Sequence, residues 1–564
     1  TTQISDNLLL PQAGPAPQPS ATPGAAESDP WIFRDGKRTV SGSELLRDLR
    51  SKIAHPEDSS ILLDALIEAG ELEAALADGG SKSTEPAARV TDHLASAVIH
   101  GDVTGISKAA LYADQIVAPV ALTVAPPEGF TYYALHPSDF ARLAKTSDSQ
   151  RYAVIGIRSI GTTLSAVVLT TLTTQGKQAG RITVRPTGHP YSRQTHFTPD
   201  QLRWIGENRG AHFLIVDEGP GRSGSTFLSV AEALVRAGVP RHEVTILGSR
   251  EPNLSSLCAD DAVNRWRGFR FVATTPSVNQ RFAECTYVGG GEWRRFLIPS
   301  GEPWPPSWTQ MERLKFISAD RQTLYKFEGM GPIGAEARGR ACRLAQAGFG
   351  PQVRDAGGGF LAYELIKGTQ PRTQDVDSST LERMAEYCSF RYAEFCVNPS
   401  AQEAQLRQML QFNVAQEFGV QLTLPPEAFY TQRPVVTDGC MSPHEWIVND
   451  SGQLIKTDGV DHGDNHFFPG PCDIAWDLAG AAVEWQLGAD TSGFLVDQFR
   501  RRSGVDVSPD LFLYKLAYSV FRLGFCKMAI STVKGSPEEE RLTDAYQRYR
   551  TIAHNLLQTH PRRQ

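Results

Sequence analysis

The sequence predicts an α/β protein with two differently built parts. A parallel sheet covered by helices comes first, preceded by a helical segment, and a shorter run of strands leading into a long helical region follows. Three observations predict it. Short apolar runs, YAVIGI (152–157), RITVRP (181–186), HFLIVD (212–217) and EVTILGS (243–249), alternate with helical stretches such as TFLSVAEALVRAG (226–238). Strand, loop, helix, strand is the order of a parallel sheet. SGEPWPPSW (300–308) then sets three prolines and two tryptophans between two unlike patterns. Beyond it lie two strand-like segments, an Ala- and Arg-rich helix (335–347) and a mostly helical remainder.

The elements follow in chain order. Residues 11–30, PQAGPAPQPSATPGAAESDP, cannot bury a core, and 1–30 read as a disordered arm. The stretch 31–110 is helical; LLDALIEAGELEAALADGG (62–80) has apolar residues at helical spacing and ends in a Gly pair suited to a C-cap. The first domain is expected over 31–300. The second covers 301–564, with strands at about 309–368 and helices at about 369–564.

Composition bounds the function classes. A chain of 564 residues allows three or four domains at roughly 150 residues each, and two at minimum. With 41% hydrophobic and 21% charged residues it reads as globular. The balance of 56 Lys+Arg against 63 Asp+Glu, a net charge of -7, argues against nucleic-acid partners, which need clustered positive charge. No apolar run approaches the roughly 18–20 residues of a membrane span, so no membrane partner is expected. Thr1–Pro30 has no Lys or Arg and is not read as a secretory signal. Eight scattered cysteines without a CxxC pair read as free thiols in a reducing cytoplasm. Small-molecule substrates are the expected partners, with a homodimer left open.

The sharpest motif is HFLIVDEGPGRSGSTF (212–227). An apolar strand ends in two carboxylates, Asp217 and Glu218, and a loop of Gly, Ser and Thr opens a helix. Glycines let backbone amides approach an anion, and a helix N-terminus supplies unsatisfied N–H groups. In an open α/β sheet such a loop lies where ligands bind, outside the carboxyl ends of the strands. This resembles the type I phosphoribosyltransferases, which bind phosphoribosyl pyrophosphate (PRPP) with Mg²⁺. The resemblance implies that Asp217 and Glu218 serve catalysis on the ribose diol. It gives the 5-phosphate to Gly221, Arg222, Ser223, Gly224, Ser225 and Thr226. Arg158, Ser159 and Gly161, in IGIRSIGTTLSAVV (155–168), match the pyrophosphate loop. Arg185 and Arg193, in VRPTGHPYSR (184–193), match a cover over the anion. The loop is one residue longer than the family pattern, and Pro220 removes an amide. The acceptor would lie under a hood formed by 31–110 and EGFTYYALHP (128–137), where Tyr132 and Tyr133 either stack on a ring or belong to the core.

A second constellation follows. RQTLYKFEGMGPIGAEARGRACRLAQAGFGP (321–351) reads as a strand with Lys326, a Gly turn and a helix with Glu336. GFLAYELIKG (359–368) is another strand, VVTDGCMSPHEWIVNDSGQLIKTDG (435–459) carries Asp438 and Asp458, and PCDIAWDLAGA (471–481) opens a helix with Asp473 and Asp477. This order resembles the kinase-like fold of aminoglycoside phosphotransferases and HipA-like proteins, two-lobed with a helical C-lobe. The resemblance implies ATP and Mg²⁺ as ligands. Lys326 would hold the phosphates with Glu336 as its helix partner, and Tyr363–Ile366, with Glu364 and Ile366, would form the adenine hinge. Asp438 would be catalytic, Glu445 and Asp458 metal ligands, and Asp477 structural. Val-Thr-Asp stands where the family has His-Gly-Asp, the loop is two residues longer, and Glu445 replaces an Asn. DHGDNHFFPG (461–470) offers His462, Asp464 and His466 as a rival catalytic loop or metal site. The expected function is a bifunctional enzyme joining PRPP-dependent phosphoribosyl transfer to ATP-dependent small-molecule phosphorylation. The alternative is a sensor of phosphoribosyl ligands that signals through a silent kinase fold.

Overall fold

The computed structural model describes residues 37–559, apart from 57–58, 145–148, 190, 222, 255–256, 258, 399–401, 461 and 463–469. The expected arm at 1–30, Arg222, Asp464 and His466 lie outside the described residues. No described helix is long and apolar enough to cross a membrane.

Five strands form the expected parallel sheet. Their order is Gln178–Val184, Arg151–Ile157, His212–Val216, Val244–Gly248, Arg270–Ala273, every pair parallel. The three central strands are buried almost throughout, as a sheet covered on both faces requires. The fifth strand, RFVA, is an edge of intermediate burial that the sequence reading did not include. The chain moves outward in opposite directions from Arg151–Ile157, so the sheet has its switch point between that strand and His212–Val216. In an open parallel sheet the switch point is where a crevice forms, at the carboxyl ends of the strands. Helix starts are locally encoded: Thr198 and Gln201 form a capping box ahead of Pro199–Glu207, and Gly224, at φ 67°, precedes Ser225–Arg236.

The helical segment ahead of this sheet comprises Gly42–Ala54, Ser59–Asp78, Thr84–His100 and Val103–Ala113. It forms a spine against both sheets. Ser59–Asp78 is buried along most of its length, acidic residues included. Each carboxylate meets a cation from another element. Glu73 takes both guanidinium nitrogens of Arg181 at 2.8 Å, Glu68 receives Lys52, and Asp64 receives Arg338 and the Gly331 amide at 2.8 Å. Buried charges survive only when paired in this way.

The second sheet is antiparallel, in the order Val353–Gly357, Phe360–Glu364, Thr323–Phe327, Lys315–Ile317, Thr286–Tyr287. Its last strand, Thr286–Tyr287, comes from ahead of the boundary expected at 300. The cores also merge: Leu314, Phe316, Phe327, Met330 and Phe360 pack in one cluster with Leu66, Ile67, Phe130 and Leu164. A larger cluster gathers the C-terminal helices Ser378–Glu394, Gln402–Phe418, Ala475–Glu484, Ala489–Ser503, Leu511–Thr532 and Pro537–Thr559. A small sheet, Gly368–Thr369, Trp446–Asn449 and Leu454–Lys456, lies between strands and helices. Arg294 donates to Glu538 at 2.6 and 3.1 Å and ties the Pro/Trp segment to the last helix. The seven described cysteines are free thiols.

Candidate functional site

Two sites are built by these sheets. The first lies in the crevice of the parallel sheet. Asp217 and Glu218 follow the strand His212–Val216. Burial pushes the Asp217 carboxyl up to about 8 and raises that of Glu218. Glu128, which keeps contact with solvent, is pushed up to about 7 by desolvation and then by Glu218. The backbone is fitted to this cluster: a Cβ on Gly129 would lie 2.9 Å from the Glu218 carboxylate, and one on Gly161 would lie 2.5 Å from the Val216 carbonyl. Ser159 takes φ 99°, a strained conformation for a residue with a side chain, immediately before the helix Ile160–Thr174. Such strain persists only where the surroundings enforce it, and it concentrates at ligand sites.

The arginines differ from expectation. Arg158 donates to Asp78 at 2.9 Å, and Arg185 donates to the same carboxylate at 2.5 Å and to the Arg158 carbonyl at 2.8 Å. Asp78, which the motifs did not mark, therefore collects both cations at the rim. Arg193 folds onto its own loop, donating to the Gly188 carbonyl at 2.6 Å.

The phosphate-type loop is partly closed on itself, which corrects the expected donor set. Ser223 and Ser225 are buried and share a hydroxyl contact of 3.0 Å, and the Ser225 amide donates to the Ser223 hydroxyl. A Cβ on Gly224 would strike Trp266, so this glycine serves core packing. Gly221 faces open space and Thr226 stays half-exposed at the helix start. Tyr132 and Tyr133 are buried, which favours their core role.

The second site opens between the antiparallel sheet and the C-terminal helices, in a cleft of about 1680 Å³. Lys326, Glu364, Ile366, Glu445, Asp458 and His462 all line it. Lys326, on the central strand, is 5% exposed. Its ammonium donates to Asp458 at 2.7 Å and lies 3.3 Å from Glu328. Lys315 stands 3.8 Å from the other Asp458 oxygen. Glu328 is fixed by the Tyr363 hydroxyl at 2.7 Å. Glu336, expected as the lysine's partner, is corrected. The helix Gly331–Gln346 buries Ile333, Ala337, Arg340 and Leu344, which turns the Glu336 side chain outward to 60% exposure, 3.8 Å from Arg340. Glu328 holds that place. Glu328 lies one residue past the strand Thr323–Phe327, two residues from Lys326, and extended chain places such residues on one face.

Asp438 and Asp477 meet in a fully buried network. Asp477 accepts from the Asp438 and Gly439 amides at 2.8 and 3.0 Å, and burial pushes its carboxyl up to about 6. Asp438 accepts from the Tyr387 hydroxyl and, at 3.1 Å, from the Cys440 amide. Expected as the catalytic aspartate, it is 0% exposed in this arrangement. Arg391, unmarked by any motif, spans the network, donating to Tyr387 at 2.8 Å, to the Gly459 carbonyl at 2.7 Å and to the Val436 carbonyl at 2.8 Å.

The expected Mg²⁺ between Glu445 and Asp458 fits poorly. Glu445 accepts from the Lys456 ammonium at 2.6 Å, and Asp458 already faces two lysines. Ligand atoms of Asp438, Glu445 and His462 do lie within 4.8 Å of one another, with Lys456 against two of these residues.

No family model matches the chain, and no curated protein matches it by sequence. Solved structures resemble it in part. One is the choline kinase LicA from Streptococcus pneumoniae, at 12% identity and TM-score 0.31, covering 43% of this chain and 89% of that one. A choline/ethanolamine kinase family protein from Mesorhizobium loti reaches 16% and 0.31, covering 47% and 97%. The GDP complex of aminoglycoside 2'-phosphotransferase-IIIa reaches 15% and 0.29, covering 45% and 91%. At these identities and scores the likeness assigns neither substrate nor residue roles, which rest on the geometry above.

Proposed function

We propose that the chain is a nucleotide-dependent phosphotransferase acting on a small hydroxyl-bearing molecule, with ATP as phosphoryl donor. One observation carries this reading. A buried strand lysine, Lys326, reaches 2.7 Å to the cleft aspartate Asp458, beside the strand Phe360–Glu364, whose continuation to Ile366 lines the same cleft. A fixed ammonium and a carboxylate facing one cavity can position a polyphosphate, and phosphoryl transfer depends mainly on positioning and electrostatics. Once the phosphates draw Lys326 and Lys315 off its carboxylate, Asp458 would hold a divalent ion on them, where such an ion neutralises developing charge. The aromatic wall from Trp293, stacked on His444 at 6.1 Å, to Trp308 is the surface for the acceptor. Calorimetry with ATP should show binding that Lys326→Met weakens at least tenfold. Wild-type affinity in the variant would refute the lysine's role.

The crevice of the parallel sheet supports a second ligand, a phosphoribosyl compound such as PRPP. The favouring observation is the juxtaposition of Asp217, Glu218 and the strained Ser159 at the switch point. Pyrophosphate release from PRPP that Asp217→Asn abolishes would support transfer; binding without turnover would favour a sensor. The closed Asp438 network also favours a sensing role for the second site. Turnover of ATP lost on Asp438→Asn would exclude that role.

A further inference from the structure

Glu445 stands where the resembling phosphotransferases carry a metal-binding Asn, and it adds a negative charge to the cleft. A compensating positive charge is buried behind the cleft wall. Lys456 ends the strand Leu454–Lys456 and is 2% exposed. Its Nζ donates to Glu445 Oε2 at 2.6 Å and to the carbonyl of Asp458, and lies 3.3 Å from Asp438 Oδ1. An ammonium offers three N–H donors and no acceptor, so these three oxygens saturate it.

The position is enclosed. The Trp446 ring centroid is 5.9 Å from the ammonium, and Tyr387, which donates to Asp438, borders the same network. Moving the lysine out to admit a metal ion would leave Asp438 and Glu445 facing each other across the vacated place, and would expose the metal to a nearby cation until the side chain found another partner. Mg²⁺ needs near-octahedral oxygen coordination and keeps several waters. A place bounded by an ammonium, a buried carboxylate and a backbone carbonyl offers neither.

We propose that the Lys456 ammonium is the resident cation of this position, so that Glu445 is not a metal ligand in this chain. One divalent ion, held at Asp458 only together with the phosphates of a bound nucleotide, is then the full complement of the cleft. The assignment of Lys456 stands apart from the nucleotide reading; only the count of ions on a bound nucleotide rests on it.

The test uses the full chain and Mn²⁺ alone, followed by electron paramagnetic resonance, in wild type, Glu445→Gln, Lys456→Met and the double variant. Wild type and Glu445→Gln should titrate alike. Lys456→Met should gain a Mn²⁺ site at least tenfold tighter than any in wild type, formed by Asp438, Glu445 and His462, and adding Glu445→Gln should remove it. Thermal melts give a second readout: Mn²⁺ should raise the melting temperature of Lys456→Met and leave that of wild type unchanged, because a ligand stabilises only the state that binds it. A tenfold loss of wild-type Mn²⁺ affinity on Glu445→Gln would overturn the proposal. So would a folded Lys456→Met that gains no site. If that variant does not fold, the comparison of wild type with Glu445→Gln decides. At saturating ATP the expected ratio is one Mn²⁺ per chain, and two would overturn it. If ATP does not bind, the nucleotide reading falls and the Mn²⁺-only titrations still decide the role of Lys456.

Discussion

Arg391→Met would separate the scaffold of the cleft from its chemistry. The Arg391 side chain is fully buried on the helix Ser378–Glu394, and its guanidinium serves the Tyr387 hydroxyl and the carbonyls of Gly459 and Val436 at 2.7–2.8 Å. It also stands 3.9 Å from Asp438 and 3.7 Å from Asp477. Methionine fills similar volume but leaves two carbonyls without that donor and two buried carboxylates short of a cation. Removing one partner of a buried ion pair costs about 3–5 kcal/mol, because the charge left behind is neither solvated nor paired. The orphaned carbonyls act through the same network, so their cost of about 1–3 kcal/mol each is not simply added. The loss should therefore fall near ~3–5 kcal/mol. Urea denaturation followed by tryptophan fluorescence reads it, since Trp446 packs edge-on to Tyr387 at 5.3 Å and reports this core. Arg391→Lys keeps the charge and should lose less. A loss for Arg391→Met below about 1 kcal/mol would refute the claim that this arginine holds the Asp438 loop.

The other expectations concern the crevice and the join between the parts. Asp217, with its carboxyl pushed up to about 8, holds a proton in the folded state that the unfolded chain releases near pH 4, so its contribution to stability falls as pH rises from about 4 to 8. Asp217→Asn should flatten the stability profile across that window, and an unchanged profile from chemical melts at pH 5 and 8 would contradict the shift. Gly161→Ala places a methyl 2.5 Å from the Val216 carbonyl and should lower stability by about 1–3 kcal/mol while weakening PRPP binding in calorimetry. A fragment ending at residue 300 should be insoluble or molten by near-ultraviolet circular dichroism, because it lacks Leu314, Phe316, Phe327, Met330 and Phe360 from the shared core. A cooperative melt of that fragment would show the expected boundary to be real.

Much of this fold was legible because it is local. The runs at 152–157, 212–217 and 243–249 are continuous apolar strands bounded by turns, and a parallel sheet buried on both faces reads that way. The strand Arg270–Ala273 was not legible: at a sheet edge its burial is only intermediate, and four residues carry no period. In the candidate sites, Asp217, Glu218, Lys326, Asp458 and Asp477 announce themselves through strand ends and fixed spacing. Asp78, Arg391 and Lys456 do not, because their roles come from partners 107, 45 and 11 residues away in the chain. A single sequence records each such residue as an ordinary charge on a helix or strand.

The contacts between the parts bear on how the two candidate sites relate. The turn after the Lys326 strand does not end in solvent. The Met330 amide donates to the Phe130 carbonyl at 3.0 Å, and Arg313 donates to the Thr131 carbonyl at 2.9 Å. One residue before Phe130, the Gly129 amide donates to Glu218 in the crevice. The helix Ser59–Asp78 makes a parallel link, with Asp64 on Gly331 and Arg338 and Asp78 on Arg158 and Arg185. From Asp64 to Asp78 is about 21 Å along the helix at ~1.5 Å per residue. A helix buried along most of its length transmits displacement rather than absorbing it, since close-packed interiors have little free volume. Ligand-driven movement of Asp78 or Glu218 therefore meets packed contacts that lead to the Gly turn beside Lys326. The helical segment thus has a structural reason to be buried between the sheets: it carries one carboxylate to the arginines at the rim of the crevice and another to the Gly turn that follows the Lys326 strand.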